Sequence, residues 1–224
     1  MNLLKRCKDI LVKITICVLI ASSLTSCKGS NELNKLAFVI GIGIDKSEEP
    51  DKVQMTTQIA NVVGIKGTQK GSGGVTEDYF NLKETGKSIS DIVAASSRKL
   101  NRKMFFSHNQ VIVFGENVAE SGLGKYLDFF MRYRETRPLV WVLVSKGPAS
   151  QILGLKPTLE STPGRSIGEL IKGEEETSEV PAVDLRDFAS KLLSKTTSPI
   201  APIIEVSKDF ALVGSVGPVP LVTV

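Results

Sequence analysis

The alternation of apolar and polar positions divides the chain into doubly buried strands, one-sided helices and polar connections. Leu36-Ala37-Phe38-Val39-Ile40-Gly41-Ile42-Gly43-Ile44-Asp45 is a nearly unbroken apolar run closed by charge, the pattern of a strand covered on both faces. Positions 53–63 alternate more loosely and predict a second strand over Gln54–Ala60. Gly64, Gly67, Gly71, Gly73 and Gly74 mark a loop, and Tyr79-Phe80-Asn81-Leu82 a short third strand. Ser88 or Ser90 then starts a helix whose stripe is Ile89, Ile92, Val93, Ser96, Leu100 and Met104. Arg98, Lys99, Arg102 and Lys103 gather towards its C-terminal end, where positive charge suits the helix dipole. A buried strand over Val111–Gly115, a helix from Val118 to Tyr133, a strand over Leu139–Val144 and a short helix about Ala149–Leu153 complete the series.

This order predicts an α/β fold with α+β character over residues 36–156, a mixed sheet of about five strands flanked by helices. The chain changes character after Leu155. Residues 157–182 are rich in Pro, Gly, Ser, Thr and Glu and read as a linker with a short helical piece, Ile167 to Ile171. A helix from Asp184 to Leu193 and strand-like runs Ile203–Val206 and Phe210–Val213 suggest the start of a second, incomplete unit over 183–224. No charged residue follows Asp209, the pattern of a chain that stops inside a domain.

The first residues alter the picture of where the protein resides. Lys5, Arg6, Lys8 and Lys13 precede an apolar stretch, Ile14 to Ala21, too short to span a bilayer and suited to a signal peptide. It ends at Leu24-Thr25-Ser26-Cys27, which resembles a bacterial lipobox. Residues 1–26 are thus expected to be a leader, Cys27 the lipid-bearing residue, and 27–35 a tether. Cys7 and Cys17 lie inside that leader, so the mature chain would hold no disulfide and no Cys-based metal site. The leader also carries +3 of the formal charge of +4 (four basic residues against Asp9), leaving about +1, which removes any argument for nucleic acid.

Candidate chemistry is sparse. Gly41-Ile42-Gly43 follows a strand, but a dinucleotide fingerprint needs a third glycine where this chain has Lys46. Gly71-Ser72-Gly73-Gly74 lacks the Lys-Ser/Thr of a phosphate loop and opens no helix. His108 is the sole histidine, and Gly-x-Ser-x-Gly does not occur, so His108 reads as a structural residue at the start of the Val111 strand. Arg132-Tyr133-Arg134-Glu135-Thr136-Arg137 forms a basic run that suits anionic lipid, an acidic partner or plain solvent. The residues thus describe an anchored binding or assembly protein, with no catalytic residue, cofactor site or metal site.

Three segments together resemble the C-subunit lipoproteins of spore germinant receptors, the GerAC (Ger(x)C) family of endospore-forming Firmicutes. The first is Cys27 with Asn31-Glu32-Leu33-Asn34-Lys35-Leu36-Ala37-Phe38-Val39-Ile40-Gly41-Ile42-Gly43-Ile44-Asp45. The second is Phe106-Ser107-His108-Asn109-Gln110-Val111-Ile112-Val113-Phe114-Gly115-Glu116, with Ala119 and Gly122 beyond. The third is Leu127-Asp128-Phe129-Phe130-Met131-Arg132 through Arg137 into the Trp141 strand. Lys28-Gly29-Ser30 stands where the family has Trp-Asp after the lipid cysteine. The resemblance implies a C-terminally truncated member. It implies a non-catalytic subunit, anchored through Cys27 on the outer face of the cytoplasmic (spore inner) membrane with integral A- and B-type subunits as partners. The alternative is a solute-binding lipoprotein of a transporter.

Overall fold

The computed structural model of the chain describes residues 10–16, 35–61, 78–157, 159–177, 180–194, 196–207 and 210–218. Cys27 and the Gly64–Gly74 loop lie outside them. Residues up to Lys35 and those from Leu36 onward form two separate units. In the first, residues 10–16 are helical (α1), with exposed side chains and Thr15 Oγ1 donating to Leu11 O at 2.9 Å. Among the described residues, no helix is long and apolar enough to cross a membrane.

The second unit is a mixed sheet with helices on both faces. Its strands are β1 (Leu36–Lys46), β2 (Val53–Ala60), β3 (Tyr79–Gly86), β4 (Lys103–Phe105), β5 (Val111–Gly115), β6 (Trp141–Ser145), β7 (Ile200–Ser207) and β8 (Phe210–Pro218). Seven strands run in the order β3-β2-β1-β5-β6-β7-β8, and β4 pairs with the beginning of β1. Neighbours among β1, β5, β6 and β7 are parallel, and antiparallel partners close both sides: β2 and β3 beside β1, β8 beside β7. Burial on both faces explains why β1 and β5 read as continuous apolar runs.

Side-chain alternation splits the core in two. Val39, Ile42, Ile44, Ile112, Phe114 and Val142 meet helices α2 (Ile89–Leu100), α3 (Glu116–Glu120), α4 (Gly124–Arg132) and α7 (Leu185–Leu193). Val111, Val113, Leu143 and Ile204 face α5 (Ala149–Ile152) and α6 (Pro163–Thr177). Ser88 caps α2 by accepting from Asp91 N, and Asp184 caps α7 by accepting from Asp187 N.

Four expectations change. Met104 is not on the α2 stripe: Asn101 takes a left-handed conformation (φ 49°) that ends the helix, and Met104 enters β4. The helix expected from Val118 to Tyr133 is two, because Gly122 takes φ +91° between α3 and α4. Residues 157–182, expected as a linker, contain the 15-residue α6, whose Ile167 and Ile171 are buried against the sheet. The runs expected to open a second unit are β7 and β8, which widen the five-stranded sheet to seven. Composition hid both: α6 is rich in glycine and glutamate although Gly164 and Gly168 are buried against the sheet, and strand pairing depends on residues far away in sequence.

Candidate functional site

The glycines of Gly41-Ile42-Gly43-Ile44-Asp45 do steric work. Positions 41, 43 and 45 share the face that meets α5. A Cβ on Gly41 would stand 3.1 Å from Leu153 Cδ2, and one on Gly43 3.2 Å from Ala149 Cβ. Bare backbone thus lets α5 lie directly on β1. Asp45, 7% exposed, then reaches the start of α5: Oδ1 accepts from Ala149 N (2.6 Å) and Oδ2 from Ser150 N (2.9 Å). A carboxylate on free N–H groups at a helix start is a strong, charge-assisted cap. Gly115 at the end of β5 leaves room for it, since a Cβ there would overlap Asp45 Oδ1.

A second polar tie lies on the same face. Gln58, fully buried in β2, accepts from Gly164 N (2.7 Å) and donates to Leu153 O and Asn81 Oδ1 (3.1 Å each). Asn81 also donates to Leu153 O (2.8 Å). The looser alternation of β2 has its cause here: Gln58 is an inward-pointing polar residue whose partners are Asn81 on β3 and, beyond residue 150, Leu153 and Gly164.

A cleft of about 440 Å³ opens at the C-terminal ends of the parallel strands. After β5 the chain passes to α3 on one face, and after β6 to α5 on the other, so the cleft occupies the position where open α/β sheets hold ligands. Asp45, Glu48, Glu49 and Glu116 against Lys46 give its lining a formal charge of −3 (−4 + 1), beside Gln54, Thr85 and Asn117. Both oxygens of Asp45 are engaged in the α5 cap, which leaves exposed carboxylates, amides and hydroxyls to meet a ligand. Such a lining suits a small cationic or polyhydroxylated solute. Among the described residues no group of His, Cys, Asp and Glu is arranged to hold a metal ion.

His108 lies at the other end of the strands. It is exposed, edge-on to Phe38 (centroids 5.4 Å, interplanar 83°) and tilted against Phe105 (5.8 Å), and its carbonyl accepts from Gln110 Nε2. Lys103 pairs with Glu135 nearby, and that hydrogen bond raises the lysine above its ordinary value. Burial, reinforced by the Glu135 charge, pushes the Tyr133 phenol up. Sequence reasoning singled out His108 and the 132–137 run but missed the cleft. Its signal was Asp45 itself, an acidic residue closing an apolar strand.

The family model described as spore germination protein N-terminal domain matches residues 29–206. YfkR of Bacillus subtilis (strain 168) is 31% identical over 204 residues, 90% of this chain and 51% of that protein. Spore germination protein YndF of the same organism is 30% identical over 203 residues (81% and 50%), and spore germination protein KC 26% over 183 (80% and 45%). The chain spans about half the length of these curated relatives. No solved structure matches it.

Proposed function

Because the chain belongs to the spore germination protein N-terminal domain family, which bears out the GerAC resemblance, we propose that it acts in spore germination as a lipid-anchored, non-catalytic subunit of a nutrient germinant receptor. The match over 29–206 carries this reading, because it takes in strands β1 to β7 and the packing of α5 on β1. The use of Asp45 as a helix cap supports a building role for the Gly-Ile-Gly-Ile-Asp segment. In this reading Cys27 carries the lipid, the domain stands on the outer face of the spore inner membrane, and integral A- and B-type subunits are its partners.

Recovery of the tagged chain from spore membranes, with sequencing of what accompanies it, tests the partners. Integral membrane proteins should co-purify, and fatty acid should label the wild-type chain but not Cys27→Ala. A labelled Cys27→Ala chain would refute the anchor, and the absence of any integral protein would refute the assembly. The polar cleft favours a second reading, solute binding. A rise in melting temperature with a small amine or sugar, abolished by Glu116→Gln with Asn117→Ala, would support it.

A further inference from the structure

We propose that the end of the sheet where β1, β4 and β6 begin rests on an anionic lipid surface; this builds on the reading of Cys27 as the anchor.

Charge along the strands is uneven. Helices α2 and α4 both run away from the cleft and finish at this end, with Arg98 and Lys99 in the last turn of one and Arg132 in the last turn of the other. The segments that follow add Arg102, Lys103 at the start of β4, Arg134 and Arg137. Lys99 pairs with Glu84, Lys103 with Glu135, and Arg132 with Asp128. Arg98, Arg102, Arg134 and Arg137 form no ion pair among the described residues. At the opposite end, the cleft carries four carboxylates against one lysine.

Apolar groups accompany the arginines. Phe38 and Phe105, both half-buried, meet edge-on at 5.6 Å, with His108 against both rings. Leu139 is 62% exposed and Met131 49%. Ser107 Oγ donates to Glu135 O, which holds the 133–139 loop beside β4. Aromatic rings and guanidinium groups together suit the headgroup layer, where the ring body leaves water and the guanidinium grips phosphate.

The tether selects lipid over an acidic protein. Leu36 stands nine residue steps from Cys27, and a chain of that length reaches at most about 32 Å. A lipidated Cys27 therefore keeps this end within about 32 Å of the headgroups, and the basic surface must supply the contact itself. The 11 residues of β1, at roughly 3.3 Å each, put the cleft about 35 Å farther along the strand. Tethering makes even weak attraction to anionic lipid sufficient, because the effective concentration is high.

The test uses the full lipidated chain on vesicles of phosphatidylcholine with or without phosphatidylglycerol. A fluorophore is placed on His108→Cys or on Asn117→Cys, and the quencher is fixed to a lipid headgroup. On anionic vesicles the label at 108 should be quenched several-fold more than that at 117. The contrast should vanish in about 1 M salt, where the screening length falls to about 3 Å, and in a chain with Arg98, Arg102, Arg134 and Arg137 changed to Gln. Equal quenching of the two labels on anionic vesicles would overturn the proposal, leaving the surface to a protein partner or to solvent. Flotation of Cys27→Ala on neutral vesicles reports the anchor separately. Retention there would refute the anchor, while the label contrast on anionic vesicles would still decide the surface.

Discussion

Asp45 and Gly115 form a pair whose coupling is measurable. Asp45→Ala removes two acceptors from the start of α5; the Ala149 N–H is buried, whereas that of Ser150 is only part-buried. Hydrogen bonds to a charged group contribute about 1.5–3 kcal/mol each, and water can replace the one at Ser150, so the change should cost about 2–4 kcal/mol. Gly115 has φ −63° and ψ 149°, a conformation open to alanine, so Gly115→Ala acts through space alone. In the wild type its methyl collides with Asp45 Oδ1, and such overpacking costs about 1–3 kcal/mol. With Asp45→Ala in place, the nearest remaining neighbour is Ala149 N at 3.5 Å, an ordinary contact, and the penalty should fall below about 1 kcal/mol. Urea unfolding followed by Trp141, the single tryptophan, reads all four corners of this cycle. If Gly115→Ala costs the same in both backgrounds, Asp45 does not occupy the space assigned to it.

His108→Asn, which removes only ring contacts with Phe38 and Phe105, should lower stability by less than about 1.5 kcal/mol; spores should germinate near the wild-type rate at equal protein abundance, and loss of germination in an abundant protein would give His108 a functional role. Both Lys103 and Tyr133 are raised from ordinary values of 10.5 and 10.0, so the folded state holds their protons more tightly than the unfolded one. Stability should be fully present below about pH 10 and fall as pH rises through the folded-state values, with Glu135→Gln flattening that fall in alkaline unfolding curves. Since α6 packs on the sheet that holds β1 and β7 is one of its strands, residues 36–207 should resist limited proteolysis and unfold in one transition; a stable fragment ending near residue 160 would instead restore the boundary read from composition.

What the sequence disclosed followed local rules. The doubly buried strands β1 and β5, a serine cap at Ser88 or Ser90, and the α2 stripe from Ile89 to Leu100 all follow from periodicity and side-chain chemistry within one element. What it withheld depended on distance. Gly41 and Gly43 look like a broken nucleotide motif until α5 is laid over them, and Gln58 looks like a lapse in alternation until Gly164 supplies its partner. The glutamates of α6 suggested a linker because composition averages over both sides of a helix, and two buried isoleucines suffice to seat it. Cys27 rests on the leader pattern and the family alone, since it lies outside the described residues.

The position of β1 bears on how the polypeptide acquires its structure. The earliest strand in sequence lies inside the sheet, its staples to α5 span 104 and 105 residues, and the bond from Gln58 of its neighbour β2 to α6 spans 106. Contacts of such long range slow folding, because loop closure must precede any reward from packing. While the chain emerges, β2 can pair with β1 at once, but the opposite side of β1 stays open until β4 and β5 arrive. An open apolar edge in that interval is a template for mispairing between nascent copies. Synthesis rate and chaperone supply should therefore govern the yield of this domain more strongly than its final stability does.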